Sequence, residues 1–580
     1  MAPAAWGPSL GTGRGLVLAA AVVGLGAGAG AIGFRELIEL FTRLFSGYPD
    51  YAAHPGAANP HVPGLGVWFV VIVPAIGGLL YGPLVARFAP EARGHGVPEV
   101  MLAVAELGGR IRPQVPVVKA LASALCIGAG GSVGREGPIV QIGSALGSVV
   151  GQVARMPERQ IRLLVACGAA GGISATFNAP IAGVFFALEV ILRDFETQSF
   201  GVVVLSSVIA DALARAVFGS MPFLHLPAFA LASPVELVLY AGLGALAGAA
   251  GVVFIRVLYG SEDIADRLWR GPSWLRPAVG GLLLGLLLLV LPEMYGVGYP
   301  VLTRAVEGHY AVAFLIVLLA GKIAATSLTI AIGGSGGVFA PSLFMGSVLG
   351  SAYGRGFHAL LPHLTAPAGA YGLVGMGALF AGAARAPITA VIIVFELTND
   401  YTIILPLMFA IVTATAVSGG LSPDTIYTLK LRRRGIRIDR PRVVSVMQAV
   451  RVQAAMGEVP APLREDAALP EVVARFASSG QQAVPVVDEA GALVGVIGAY
   501  DVEEQAIAGP DEPVTARHLS HLAPELHADE FLDVAVRILA RAADDGVPVL
   551  APGGREIVGW LTHRDLLGAY HAERERLTLD

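Results

Sequence analysis

From Gly15 to Gly420 the sequence is a succession of apolar blocks, several too short to cross a bilayer and several broken internally by glycine and proline. The blocks lie at about 15–34, 65–89, 115–131, 136–154, 160–192, 199–219, 234–259, 276–292, 311–333, 340–353, 369–398 and 403–420. A spanning helix needs about 20 apolar residues, so a block such as 340–353 reaches only partway. Broken backbone at that depth is tolerated only where protein buries it or where it lines a cavity. The expected fold is therefore an all-α polytopic membrane protein of the transport type. Charged residues make up only 14% of the chain, and 74 glycines against 7% aromatics suggest helices packed closely through small side chains. The first block follows a lone Arg14 and resembles a signal peptide, yet its length and the membrane segments behind it favour a first membrane helix. The two cysteines, Cys126 and Cys167, exclude a disulfide framework or a four-cysteine zinc site, and a net charge of -5 offers nothing to nucleic acid.

The apolar region repeats itself. GSVGREGPIVQIGSALGS at 131–148 corresponds to GSGGVFAPSLFMGSVLGS at 334–351, and CGAAGGISATFNAPIAGVFFALE at 167–189 to GMGALFAGAARAPITAVIIVFELT at 375–398. Each unit runs Gly-rich break, helix, Ala/Gly helix, Asn-Ala-Pro or Arg-Ala-Pro, then an apolar helix ending in Glu. We assign two repeats of about two hundred residues, at about 15–225 and 234–430. Whether the second is inverted depends on the span count, which hydropathy leaves open.

Past Ser422 the composition changes. Lys430, Arg432, Arg433, Arg434 and Arg437 crowd the exit of the last apolar block, and the positive-inside bias places that end in the cytoplasm. A membrane domain over 1–430 is thus followed by a basic linker over 431–442 and by two similar α+β units, 443–507 and 508–580. Each has a helix, near 468–479 or 530–542, then a Val-Pro-Val strand, a turn, a Val-Gly strand and a helix opening at Asp.

Three glycine-flanked helix starts carry the chemistry. GREGP, Gly134 to Pro138, places Glu136 at a helix N-terminus whose first N–H groups lack partners and attract anions. An ionisable group inside an apolar stretch costs several kcal/mol, so Glu136 is read as functional rather than as a dipole-favouring first-turn acid. GGVFAP, Gly336 to Pro341, supplies a second terminus with no charge, the N–H groups of Val338 and Phe339 being open to a mobile anion. GHGVPE, Gly94 to Glu99, is a third, with Pro98 in its first turn.

In order and spacing these three motifs resemble the signatures of the CLC family of chloride channels and chloride/proton antiporters, and the C-terminal pair resembles the tandem CBS domains many members carry. The resemblance implies an inverted-repeat fold with broken helices, a cytosolic CBS tandem, and a homodimer with one anion pathway per subunit in the cell membrane. It implies gating by Glu136, whose carboxylate competes with anions, and anion contacts at Gly94, His95, Gly96, Gly137, Val338 and Phe339. Tyr427, in DTIYTLKL, resembles the tyrosine that donates its hydroxyl to the central anion; its alternative is an interfacial belt tyrosine. No cofactor is required beyond the bound anion.

Two departures from the family pattern bear on function. His95 stands where the common motif has a serine, so chloride is the default anion while nitrate and bicarbonate stay open; the histidine could equally be a helix cap. Val190 follows Glu189 where antiporters usually carry a proton-loading glutamate, and valine binds no proton. The expectation is accordingly a passive chloride channel, with a chloride/proton antiporter using another internal route as the alternative. In the CBS pair, Thr562 and Asp565 resemble the Thr-x-x-Asp element that holds an adenosine ribose, while the first unit has Gly498 and Asp501; both acids could be helix-start residues instead. CBS pairs also accompany divalent-cation transporters and membrane metalloproteases. No His-Glu dipeptide occurs, which removes the protease reading and leaves a non-enzymatic transport protein as the expectation, and Glu136 beside Arg135 opposes a cation site.

Overall fold

The computed structural model describes residues 13–195, 197–220, 229, 231, 233–398, 400–436, 447, 450–508, 514–542 and 544–579. The chain divides into two compact units, Met1–Ile438 and Asp439–Asp580. Residues 437–446, which include half of the expected linker and the expected start of the first CBS unit, lie outside the described residues.

In the first unit, seven described helices are long and apolar enough to cross a membrane: Arg14–Ser46, Pro63–Phe88, Glu158–Phe177, Ser199–Phe218, Glu236–Leu268, Val312–Ala331 and Ile404–Leu421. Shorter apolar helices, among them Val115–Gly128, Arg276–Val290 and Ala368–Ala384, fill the space between them. The first helix belongs to the bundle. A Cβ on Gly24 would stand 2.6 Å from the Ser206 carbonyl oxygen, so this helix lies backbone to backbone against the one that carries Ser206.

The two repeats make reciprocal contacts, as a twofold relation requires. Gly143 and Gly168 cross so closely that a Cβ on Gly168 would stand 1.9 Å from the Gly143 carbonyl oxygen; Gly346 and Gly375 cross in the same way, at 2.2 Å. The glutamates that end each repeat also exchange places. Glu189 accepts hydrogen bonds from the N–H groups of Ile388 (3.1 Å) and Thr389 (2.8 Å), and Glu396 from those of Ile181 (3.0 Å) and Ala182 (2.7 Å). Each carboxylate thus satisfies the first turn of a helix in the other repeat, Pro387–Thr398 or Pro180–Phe186.

The basic exit is not a linker from residue 431 onward. Thr428–Arg433 is a short helix, and its arginines are tied back to the membrane unit: Arg432 to Asp424 at 2.7 Å, Arg433 to Asp263 at 2.7 Å and Arg434 to Glu99 at 2.8 Å. Charge pairing accounts for the extra structure there, a feature that composition alone reads as a solvated run.

The second unit holds two three-stranded sheets of identical topology. In the first, β1 (Leu463–Arg464) runs parallel to β2 (Ala483–Val487), which pairs antiparallel with β3 (Leu493–Gly498). In the second, β4 (Leu526–His527), β5 (Gly546–Leu550) and β6 (Ile557–Thr562) repeat that order. Both carry a register shift at the same place, Val486/Val487 and Val549/Leu550. The helices Leu469–Ser479 and Leu532–Leu539 stand where the sequence places them. Strands β1 and β4, two residues each, are too short to carry a pattern of their own.

Candidate functional site

The three glycine-rich loops meet. Gly134 and Gly337 exchange both backbone hydrogen bonds, 2.7 Å from Gly134 N–H and 2.5 Å from Gly337 N–H, so the loops that open helices Glu136–Val153 and Phe339–Leu360 pair as a short antiparallel bridge. The first motif joins them through Gly94, whose N–H donates to the Gly334 carbonyl at 3.0 Å and whose carbonyl accepts from Gly336 at 3.3 Å. Glycine is required at these crossings. A Cβ on Gly137 would stand 2.1 Å from the His95 carbonyl oxygen, and Gly96 holds φ +84 beside the Gly137 carbonyl.

Glu136 is 1% exposed and reaches across this junction. Its Oε2 accepts from the N–H of Ala340, in the first turn of the second helix, at 3.3 Å, and its Oε1 accepts from the Tyr299 hydroxyl at 2.5 Å. The carboxylate therefore occupies a position that unpaired helix N–H groups would offer to an anion. A narrow cavity beside it, too tight as it stands to admit a water molecule, is lined by His95, Val97, Glu136, Gly137, Val338, Phe339 and Tyr427, together with Val140, Ile173 and Phe186. One space thus brings together a residue from each expected motif and the tyrosine that precedes the basic exit. Gly94 and Gly96 flank His95 but do not line it; Gly94 lies against Lys430 instead.

Tyr299 also lines a wider cavity of about 420 Å³, together with Arg35, Glu39, Asp50 and Arg135 among others. The Arg135 guanidinium sits over the Tyr299 ring, 5.5 Å from its centroid. Glu136 lines the narrow cavity and is linked through the Tyr299 hydroxyl to a residue that lines the wider, cation-bearing one.

Motif spacing alone does not reveal Tyr299, Ala340 or two buried lysines. The signal lies in the repeat. GVGYP at 296–300 is the second repeat's copy of GHGVP at 94–98, and Gly298 has φ +91 where Gly96 has +84. Lys119 and Lys322 are 203 residues apart, the spacing that also separates Gly134 from Gly337. Each is fully buried and braces one of the paired glycine loops: Lys119 Nζ donates to the carbonyls of Ala92 and Gly94, both at 2.8 Å, and Lys322 Nζ to Val297 at 3.0 Å and Gly296 at 3.3 Å. Projecting one repeat onto the other finds Tyr299 and both lysines. Tyr299→Phe should therefore raise chloride flux at neutral pH, since a hydrogen bond to a charged group contributes about 1.5–3 kcal/mol and this one holds Glu136 across the pathway. Chloride efflux from liposomes reads it, and an unchanged rate means that the hydroxyl does not hold the carboxylate.

Val190 is buried at 5% exposure and carries no polar contact; the neighbouring Glu189 is engaged as the cap described above. In the second unit, Asp501 accepts from Gly498 N–H at 2.7 Å and faces His521 Nδ1 at 3.1 Å, while His521 Nε2 lies 2.9 Å from Asp544. Burial raises the Asp544 carboxyl above its ordinary range against the pull of His521. Thr562 and Asp565 cap each other, the threonine hydroxyl donating to the carboxylate at 2.6 Å and accepting from the Asp565 N–H at 3.2 Å. Both acids hold the first turns of their own helices.

The comparisons agree with this geometry. A profile of the voltage-gated chloride channel family matches residues 77–419, and one of the CBS domain matches 452–505. A ClcB-like chloride channel protein of Ralstonia nicotianae is 35% identical over 420 residues, covering 71% of this chain and 96% of that protein. An H(+)/Cl(-) exchange transporter, ClcA, of Vibrio parahaemolyticus is 36% identical over 380 residues, 64% of this chain and 80% of that protein. The crystal structure of a slow cyanobacterial Cl-/H+ antiporter superposes with a TM-score of 0.66 at 29% identity, covering 73% of this chain and 99% of its own. With its converging helix starts, its duplicated membrane unit and its CBS tandem, the chain belongs to the voltage-gated chloride channel family, the CLC membrane anion-transport proteins.

Proposed function

We propose that the protein exchanges chloride for protons, and that Glu136 is the group at which the two ions alternate. One observation carries this reading: a protonatable carboxylate itself occupies the anion position on the second helix terminus. An anion can take that position only when the carboxylate leaves it. A carboxylate displaced from its donors into a wider space is a better proton acceptor than one held by them, because hydrogen bonds to the charged form favour that form. Anion binding and proton uptake therefore compete through a single side chain. Relatives and a structural neighbour described as exchangers support the same reading.

The passive channel expected from Val190 is the weaker reading. It rested on one missing carboxylate, and the adjacent Glu189 is engaged by Ile388 and Thr389 in a structural role, so this segment need not carry protons at all. Chloride passes Tyr427, the N–H groups of Val338 and Phe339, and the place vacated by Glu136, losing water to N–H and O–H donors that bind weakly enough to release it. The anion itself is not chemically transformed. We place one such pathway in each subunit of a homodimer in the cell membrane, with the basic exit and the CBS tandem on the cytoplasmic side in keeping with the positive-inside bias. Adenine nucleotide enters the proposal only at the second CBS unit, where Thr562 and Asp565 set a hydroxyl beside a carboxylate.

Purified protein in liposomes tests the exchange. An outward chloride gradient should drive protons inward against their own gradient. A reversal potential that follows the chloride gradient alone, with no proton movement, overturns exchange and restores the channel.

A further inference from the structure

His95 differs chemically from the serine of the common motif, and its surroundings fix how. The ring is fully buried and lines the narrow cavity. Its Nε2 lies 3.2 Å from the Tyr259 hydroxyl oxygen, and that hydroxyl lies 2.6 Å from the Ile426 carbonyl oxygen. A carbonyl only accepts, so the single hydroxyl proton points to Ile426, and the Tyr259 oxygen must receive its hydrogen bond from Nε2–H. The neutral imidazole is thereby locked with its one proton on Nε2. Nδ1 carries a lone pair, is buried, and has no hydrogen-bond partner. Tyr259 is not among the residues lining the cavity, so the Nε2 side of the ring is committed elsewhere, and Nδ1 is the polar atom His95 has left to offer there.

A lone pair repels an anion, whereas an N–H attracts one. We propose that chloride binding in the narrow cavity takes up a proton at Nδ1 of His95, converting an unpartnered acceptor into a donor. The proton comes from water and returns to it when chloride leaves; the Nδ1–H bond is made and broken without any other change of charge. The charges around the ring supply the coupling. Lys119 braces Gly94, Lys430 lies against Gly94, and Arg434 is close by, their two carboxylate contacts both falling on Glu99. The phenols of Tyr259 and Tyr427 and the Glu136 carboxylate complete the groups facing the ring. Lys119, Lys430 and Arg434 oppose a further positive charge on the ring until an anion is present to offset it, with Glu99, and Glu262 near Lys430 and Tyr259, tempering them. The inference rests on the narrow cavity being the anion site, and it gives the exchange reading an inner proton-binding group where Val190 offers none.

Calorimetric titration of chloride into the purified full chain, in buffers of differing ionisation enthalpy, counts the protons taken up per chloride. Glu136→Gln removes the competing carboxylate first. In that background uptake should approach about one proton per chloride where the imidazole is neutral, and decline as the pH is lowered through its titration. Adding His95→Gln, which retains a donor for Tyr259, should abolish the uptake while chloride still binds. Tyr259→Phe, which changes His95's partner but no residue of the cavity lining, should reduce it, because the freed ring can place its single proton on Nδ1. Zero uptake in Glu136→Gln, or equal uptake with and without His95, overturns the proposal; so does unchanged uptake in Tyr259→Phe should His95→Gln fail to fold. No chloride binding in any variant overturns the site assignment itself. Failure of exchange is read separately, in the liposome proton flux.

Discussion

Glu136→Gln should raise chloride flux at neutral pH about tenfold, flatten its pH dependence and reduce coupled proton movement to background. The carboxylate is held by two donors, the Tyr299 hydroxyl and the Ala340 N–H, one on each oxygen. A carboxamide offers only one acceptor; its amino group would face the other donor with a hydrogen of its own. Losing one hydrogen bond to a charged group, at about 1.5–3 kcal/mol, is enough to displace the side chain in favour of an anion, since about 1.4 kcal/mol is a factor of ten. Glutamine also cannot load or release a proton, so the pH dependence that arises from the carboxylate goes with it. Chloride efflux and external pH recorded on the same liposomes measure both effects. Unchanged flux together with an unchanged pH profile would remove Glu136 from the gate.

Much of this site is legible in the sequence because glycine placement is. Only residues without a Cβ allow Gly137 against the His95 carbonyl and Gly337 against Gly137, so GREGP, GGVFAP and GHGVP announce where backbones touch and where helices begin. Glu136 stood out for a related reason, as a charge in an apolar run. Tyr299 did not, since a tyrosine near a helix start is ordinary until the loop that holds it is seen to face Glu136. Lys119, near the start of one apolar block, and Lys322, in the middle of another, are charges in apolar runs like Glu136, and each is buried and satisfied by backbone carbonyls. Such roles depend on long-range pairing between repeats, and local pattern does not encode it. The arginines of the exit mislead in the opposite direction. Clustered charge suggests a solvated linker, but Asp263 and Glu99, far away in sequence, and the nearby Asp424 tie it down as an ordered helix.

The reciprocal glutamates separate architecture from transport, and they carry the second large effect. Glu189 ends the first repeat next to the position where a proton-loading glutamate is expected, so a loss of transport on its mutation is easily misassigned to a proton route. Its geometry is that of a cap: the Ile388 N–H, the Thr389 N–H and the Thr389 hydroxyl all donate to it, the last at 2.7 Å. Glu396 does the same for Ile181 and Ala182. Glu189→Ala leaves three donors without an acceptor, and at about 1–3 kcal/mol for a buried unsatisfied group the membrane unit should lose about 2–4 kcal/mol, allowing for the partial exposure of Ile388. Glu396→Ala should lose slightly less, because it caps two donors. Unfolding midpoints of the detergent-solubilised variants measure the losses. Glu189→Gln decides the role: it keeps an acceptor oxygen but no proton to exchange, so its stability should recover in part and the proton-to-chloride ratio of the folded protein should match the parent. A stable Glu189→Gln variant that moves chloride but no protons would place Glu189 in the proton route and leave the twofold pairing with Glu396 without a purely structural explanation.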